Sequence, residues 1–524
     1  MAFKSILFQA AENSAEKQIW KEPVYFKDLN LDQIIEAVTA GTQGYDLKPF
    51  FYTPLHSEDA IRYRQEVMRD LECESLFKKI KAFAKCIYEI AARVQQIREH
   101  LAQPEGYDCN YLEKGRFLDS AGIYCEAVER LARDIASMEL KSRGLSAFRE
   151  YISDYIGSEV FTAVQSETNA MKGELRTVHY CMLIKDSYIK VRKYEDEPDH
   201  TPEIERIFEK FRQGAVKDYR QKIPEEPYAE HVEAGVLNLV SKSYPGIFTN
   251  LDRYCSRNRN FLNETISIFS GEVQFYIAYL EYMGRFKRSG LCFCYPQVDG
   301  QCKDVHNFGG FDLALADRLI AQNRGVVCND FYLRGNERII VVSGPNQGGK
   351  TTFARVFGQL HHLAGLGCPV AGRESRLFLS DRIFTHFEKE EDIQNLSGKL
   401  QDDLVRMHDI LRSATRDSII IINEILSSTT LKDAIAIGKK IMDEVTGLDS
   451  LCVCVTFLDE LASYGPKIVS MVSTVAPDDP ARRTYKIVRS PADGLAYAIH
   501  IAQKYGLTYA RLKERIKHES TSDV

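Results

Sequence analysis

The sequence predicts a multidomain α + α/β protein, an elongated helical region followed by a P-loop α/β domain. Three observations predict it. Long stretches of the first half carry apolar residues at helical spacing. Beyond about residue 300 the pattern becomes strand, helix, strand, helix, with short continuous apolar runs bounded by turn signals, as buried parallel strands read. One such run opens into Gly344-Pro345-Asn346-Gln347-Gly348-Gly349-Lys350-Thr351, a full match to G-x-x-x-x-G-K-[ST].

The chain has 524 residues, room for about three or four domains at ~150 residues each. Hydrophobic residues make up 44% and charged residues 27%, so a sizeable core is expected. No apolar run reaches 18 residues, and no membrane span is expected. The opening MAFKSILFQAAENSAEK has no long apolar region and no small-residue cleavage site, which points to a cytoplasmic protein. A net charge of −6 argues against a wholesale basic nucleic-acid binder but leaves room for local basic strips. The 13 cysteines are scattered, and the pairs Cys292/Cys294 and Cys452/Cys454 sit in apolar runs, so buried reduced thiols are expected rather than zinc.

In order along the chain, Ile80, Phe83, Ile87, Ile90, Val94, Ile97 and Leu101 alternate gaps of 3 and 4 residues, one long amphipathic helix over 76–101. Helical patterns follow at roughly 112–140 and 145–173. TVHYCMLIKDSYIKVRKY (177–194) then reads as two strands around Lys185-Asp186-Ser187, a hairpin, with Ile189 and Val191 alternating against Lys190 and Arg192 and with Lys193 beyond. A charged stretch and a second basic cluster, Arg253, Arg257 and Arg259, come next. These are candidates for a nucleic-acid backbone, with a solvated surface as the plain alternative. A helix with interleaved aromatic residues covers 263–287, a boundary falls near 290–300, and RIIVVSG, SIIIINEI and LCVCVTF read as buried strands before a helical tail at 493–518.

The glycine-rich stretch lies between a strand and a helix, the context that a phosphate-binding loop needs. Its backbone N–H groups and the helix N-terminus favour an anion. Lys350 suits the β- and γ-phosphates, and the Thr351 hydroxyl suits Mg²⁺. A second strand must bring polar groups to the same place. Ser418-Ile-Ile-Ile-Ile-Asn423-Glu424 is the candidate, with Glu424 as the base for an attacking water and Asn423 as an uncharged partner to the metal.

Residues 326–510 resemble the ATPase domain of the DNA mismatch-repair MutS family. The resemblance rests on VVCNDFYL, GPNQGGKTT, CPVA, DRIFT, the strand-and-loop NEILSSTTLKDA and the final ADGLAYAIHIAQKYGL, in that order. PFFYTPLHSEDAIRYRQEVMRDL (49–71) resembles the start of the family's helical lever. The resemblance implies 1–48 as an N-terminal segment, 49–176 as helical core or lever, and 177–260 as a clamp-like region. It further implies 261–298 as the returning lever helix, 299–490 as an ABC-type ATPase domain and 491–524 as a helical dimerisation segment. It implies ATP and Mg²⁺ as cofactors, held by Gly344 through Lys350, Thr351, Thr352, Asn423, Asp433 and, on the signature loop, Gly398 with Ser397 beside it. Little precedes residue 49, so the family's mismatch-reading and connector domains are expected to be absent.

Three departures accompany the resemblance: Asn423 replaces an aspartate, Gly398 falls where the signature serine belongs, and Phe457 replaces a histidine. Tight nucleotide binding and slow hydrolysis are therefore expected. The function implied is an ATP-switched homodimeric clamp on double-stranded or branched DNA in repair or recombination. The alternative is an ATP-gated scaffold that has lost DNA binding and holds a protein partner. No base-stacking aromatic is evident near Val326–Phe331, where the resemblance would look for one.

Overall fold

A computed structural model describes the chain apart from residues 1–2, 10–20, 43, 102–109, 186–187, 196–202, 204–205, 208–226, 389–397, 427–428, 478, 493–506, 510 and 514–524. It divides into two compact units. One is built mainly from Glu74–Leu140 and Ser146–Gly271, the other from Lys4–Cys73, Lys141–Leu145 and Glu272–Val524.

The first unit is helical. The helix Glu74–Leu101 buries Ile80, Phe83, Ile87, Ile90, Val94 and Ile97, the stripe that its spacing predicts. Leu101, expected on that stripe, is 40% exposed, because the buried seam ends one turn earlier. The helical pattern expected over 145–173 is two helices, Arg143–Ile156 and Glu159–Arg176. The break is chemical: Gly157 interrupts the run, and the Ser158 side chain caps the second helix by accepting from the Phe161 N–H at 3.2 Å. Strands β1 (Tyr180–Lys185) and β2 (Tyr188–Lys193) pair antiparallel as expected; Asp186 and Ser187 of the turn lie outside the described residues.

The second unit holds the strands β3 (Phe293–Cys294), β4 (Gln297–Asp299), β5 (Val305–Gly310), β6 (Asn329–Leu333), β7 (Ile339–Ser343), β8 (Val370–Ala371) and β9 (Glu374–Phe378). It continues with β10 (Ile383–Phe387), β11 (Ile419–Asn423), β12 (Leu451–Val455), β13 (Ile468–Ala476) and β14 (Asp479–Arg489). The main sheet has the order β10-β11-β12-β7-β13-β14, parallel except for β14, which returns antiparallel along β13. Strands β7, β11 and β12 are buried at every residue, as their unbroken apolar runs require when helices cover both faces. A four-stranded sheet, β4-β9-β5-β6, is also present and is mostly antiparallel. It departs from the simple strand-helix alternation read from the sequence, because its strands are short and half-polar. Cys452 and Cys454 are buried in β12, where burial pushes both thiols above their ordinary range.

The helix Lys350–Gly365 packs against β11 and β12. Gly358 makes that approach possible: a Cβ there would lie 2.6 Å from Leu29 Cδ1 and 2.7 Å from Ile421 Cδ1. Both neighbours are fully buried and have no room to move. Gly358→Ala is expected to cost about 1–3 kcal/mol by overpacking, read as a lowered Tm; an unchanged Tm would mean that the helix is free to shift.

Candidate nucleotide site

The parallel strands end together, and their C-terminal ends carry the polar residues. Asn423 on β11 is level with Val455 on β12, and Val455 is level with Val342 on β7. The loop after β7 and the end of β11 therefore lie two strands apart, about 10 Å at ordinary strand spacing. The helix Lys350–Gly365 closes that gap: the Thr351 hydroxyl donates to Asn423 Oδ1 at 2.8 Å. Glu424 follows with φ 55°, a left-handed backbone uncommon for a non-glycine residue. Its N–H donates to Val455 O at 2.9 Å, which pins the turn at the strand end.

The loop itself is set by close approach to β13. Gly344 has φ 107°, and a Cβ there would come within 2.9 Å of Ser473 O; at Gly348 it would meet Ser473 Oγ at 2.2 Å. That hydroxyl donates to Gly348 O at 2.7 Å. Lys350 is buried and curls back, donating from Nζ to Gly344 O at 2.9 Å, Pro345 O at 3.1 Å and Asn346 Oδ1 at 3.3 Å. Burial pushes its pKa down, and the nearby Glu424 carboxylate works against that shift. A buried ammonium over a glycine-rich turn at a helix N-terminus is an arrangement that can take an anion such as phosphate. Gln347 takes φ 59°, and Thr352 continues the helix half-buried.

The Thr351–Asn423 pair offers a Mg²⁺ ion neutral oxygens only, and the Asn423 Oδ1 already takes the Thr351 hydroxyl hydrogen. Mg²⁺ prefers carboxylate and phosphate oxygens. Among the described residues no group of three or more His, Cys, Asp or Glu is arranged to hold a metal. A Mg²⁺ at this pair would rest on a ligand's phosphates rather than on protein charge.

Two further expected contributors lie at helix starts. Asp433 is exposed at the start of the helix Leu431–Leu448, where its carboxylate accepts from the Thr430 hydroxyl at 2.8 Å and its N–H donates back at 3.3 Å. Gly398 is the exposed N-cap of the helix Lys399–Ser413; Ser397 lies outside the described residues. Phe457, at the end of β12, is 48% exposed.

The residue missed in the sequence is Tyr485. It sits on β14 with φ 60° and is 50% exposed. Its ring and Cα come within 3.9 Å of where a Gly349 side chain would begin. Asn329 fixes it there, donating from Nδ2 to Tyr485 O at 3.1 Å and accepting from the Ile487 N–H at 2.8 Å. An aromatic side chain thus lies beside the glycine-rich loop. The one available signal was the Asn329-Asp330 step, whose asparagine reaches across to β14 instead of to a ligand.

Residues 340–518 match the family model described as MutS domain V. By this match the stretch is a MutS domain V. It is 29% identical over 231 residues to the endonuclease MutS2 of Gemmatimonas aurantiaca, a stretch covering 42% of this chain and 28% of that protein. It is 32% identical over 211 residues to the endonuclease MutS2 of Geobacillus thermodenitrificans, covering 39% of this chain and 26% of the relative. The DNA mismatch repair protein MutS of Orientia tsutsugamushi (strain Boryong) is 27% identical over 221 residues, covering 41% of this chain and 24% of its own length. The chain therefore spans about a quarter of the MutS-family relatives that it matches. No helix among the described residues is long and apolar enough to cross a membrane.

Of the expected DNA contacts, Lys190 and Arg192 share one exposed face of β2 with Tyr188, which is 79% exposed. Lys193 points to the other face, its Nζ 5.0 Å from the Tyr244 ring. Arg253 and Arg257 belong to a separate helix, Pro245–Arg257, and Arg253 donates to Asn250 Oδ1 at 3.3 Å. At 1.5 Å per residue, Arg257 is about 18 Å along that helix from Pro245. The five residues form two groups on different elements.

Proposed function

We propose that this protein is an ATP-binding switch of the MutS type that hydrolyses ATP slowly and acts on double-stranded or branched DNA in repair or recombination. The observation that carries the reading is the meeting of Lys350 and Thr351, at the start of the helix after β7, with Asn423 and Glu424 at the end of β11 two strands away, with Tyr485 beside the loop. Lys350 takes the β- and γ-phosphates, leaving the loop carbonyls for a better partner. Tyr485 stacks on the base. Glu424, directed off the strand end by its left-handed backbone, orients water and accepts its proton. Thr351 and Asn423 would hold a Mg²⁺ ion that came with the nucleotide, and it would supply charge neutralisation. Phe457 offers no hydrogen bond to phosphate or water, in keeping with slow turnover.

The proposed lever and clamp take the core over 49–176, the hairpin region 177–260 and the returning helix 261–298; the compact helical unit supplies their middle part, Glu74–Leu140 and Ser146–Gly271. Two copies pair through the ATPase domain 299–490 and the segment 491–524, most of which lies outside the described residues. ATP binding favours one pose of the arms over another, and its influence is limited to its differential affinity for the two. The exposed face of Lys190, Arg192 and Tyr188 supports a DNA contact, since phosphate-seeking cations beside an aromatic ring suit a nucleic-acid backbone.

Steady-state ATP turnover, alone and with homoduplex, mismatched and branched DNA, tests the whole reading. A rate raised by one DNA structure names the substrate; ATP binding that no DNA affects would favour the scaffold alternative. The double variant Lys190→Ala/Arg192→Ala is expected to weaken duplex binding and to flatten the slope of log K against log salt by about 2. An unchanged slope would remove the hairpin from the DNA contact.

A further inference from the structure

Asn346 stands between two cations. Its side-chain Oδ1 accepts from Lys350 Nζ at 3.3 Å, and its backbone oxygen accepts from Arg483 Nε at 3.1 Å. Arg483 is half-buried on β14, two residues before Tyr485. One strand therefore brings a guanidinium to the third residue of the phosphate loop and an aromatic ring to its last glycine. The two cations are close enough that the Arg483 charge helps to push the Lys350 pKa down.

The metal-facing pair carries no charge: Thr351 and Asn423 are neutral and bonded to one another, and the carboxylates of the site, Glu424 and Asp459, act on Lys350. A divalent ion at that pair meets no anionic protein ligand. A bound triphosphate still needs its charge balanced where water is excluded. A guanidinium suits this: it is always protonated, is less strongly hydrated than an ammonium, and presents a planar fork to phosphate oxygens. Arginines supplied in cis do this in other phosphoryl-transfer sites.

We propose that Arg483 is a phosphate-neutralising residue of this site, and that the grip on the terminal phosphates rests on Lys350 and Arg483 more than on Mg²⁺. The inference rests on the nucleotide-binding reading above and deepens it. Arg483 exchanges its bond to the Asn346 carbonyl for a phosphate oxygen when nucleotide enters. It is a residue of binding and charge balance; Glu424 keeps the proton chemistry.

The test is equilibrium titration of the full chain with a fluorescent ATP analogue, once with Mg²⁺ and once with excess EDTA. Wild type, Arg483→Gln, Arg483→Lys and Asn423→Asp are compared. Wild type is expected to bind about as well in EDTA as in Mg²⁺. Arg483→Gln is expected to lose about tenfold or more in EDTA, the weight of one charge-assisted hydrogen bond, and less in Mg²⁺. Arg483→Lys recovers part of the loss, which separates charge from packing and keeps the test informative should the glutamine variant fold poorly. Asn423→Asp, with a carboxylate to hold the metal, turns binding Mg²⁺-dependent. Loss of wild-type binding in EDTA, with Arg483→Gln matching wild type in Mg²⁺, would overturn the inference and leave the nucleotide reading standing. Absence of binding by wild type in both buffers would remove both.

Discussion

Glu424→Gln is expected to leave ATP affinity little changed and to lower turnover by about 10²–10⁴-fold, the usual contribution of a positioned general base. The geometry makes Glu424 hard to replace. Its backbone is held in a left-handed turn by the bond from its N–H to Val455 O. Its carboxylate lies close enough to Lys350 to oppose the burial-driven fall of that lysine's pKa. The residue before it, Asn423, has no charge and is committed to the Thr351 hydroxyl. An amide at 424 preserves shape and hydrogen bonding but cannot accept a proton from water. Single-turnover measurements separate the chemical step from product release. Turnover that survived the substitution would pass the base role to Asp459, the other carboxylate whose charge reaches Lys350.

The candidate site was legible where its residues are local in sequence and illegible where they are not. The phosphate loop, the lysine and the threonine fall within one turn between a strand and a helix, so their spacing alone locates them. The isoleucine run of β11 and the Cys-x-Cys run of β12 announce buried parallel strands, and both are buried at every residue. Tyr485 carries no such mark. It reaches the loop because β14 folds back along β13 and because Asn329, far upstream, holds its backbone. Arg483 is equally silent, a cation in a run of three polar residues until β14 sets it against Asn346. In the helical unit, the stripe of Glu74–Leu101 follows the hydrophobic spacing, whereas the break before Glu159 depends on one side-chain cap at Ser158. A side-chain bond of the same kind holds the Asp433 carboxylate at a helix start.

Lys350→Met is expected to weaken nucleotide binding by about 100-fold or more, since truncating one partner of a buried charge contact costs roughly 2–5 kcal/mol. Folding stability should respond far less. The ammonium is buried against Gly344 O, Pro345 O and Asn346 Oδ1, so its removal strips three acceptors of a donor. That loss is opposed by the removal of a desolvated charge, whose pKa the fold holds below the ordinary lysine value. The sign follows from linkage: a cation whose folded pKa is depressed costs the fold stability below that lowered pKa, and the cost fades as pH rises through it toward the ordinary lysine range. At neutral pH methionine keeps the apolar stem and deletes the desolvation penalty, which offsets the loss of the donor to the three loop oxygens. Nucleotide titration and thermal melts on the same sample therefore give opposite answers for one substitution, with binding lost and Tm nearly kept. Retained binding would place the nucleotide away from the loop after β7. A large fall in Tm would mean instead that Lys350 is chiefly a strut for the empty loop, with the phosphate grip left to the backbone N–H groups and Arg483.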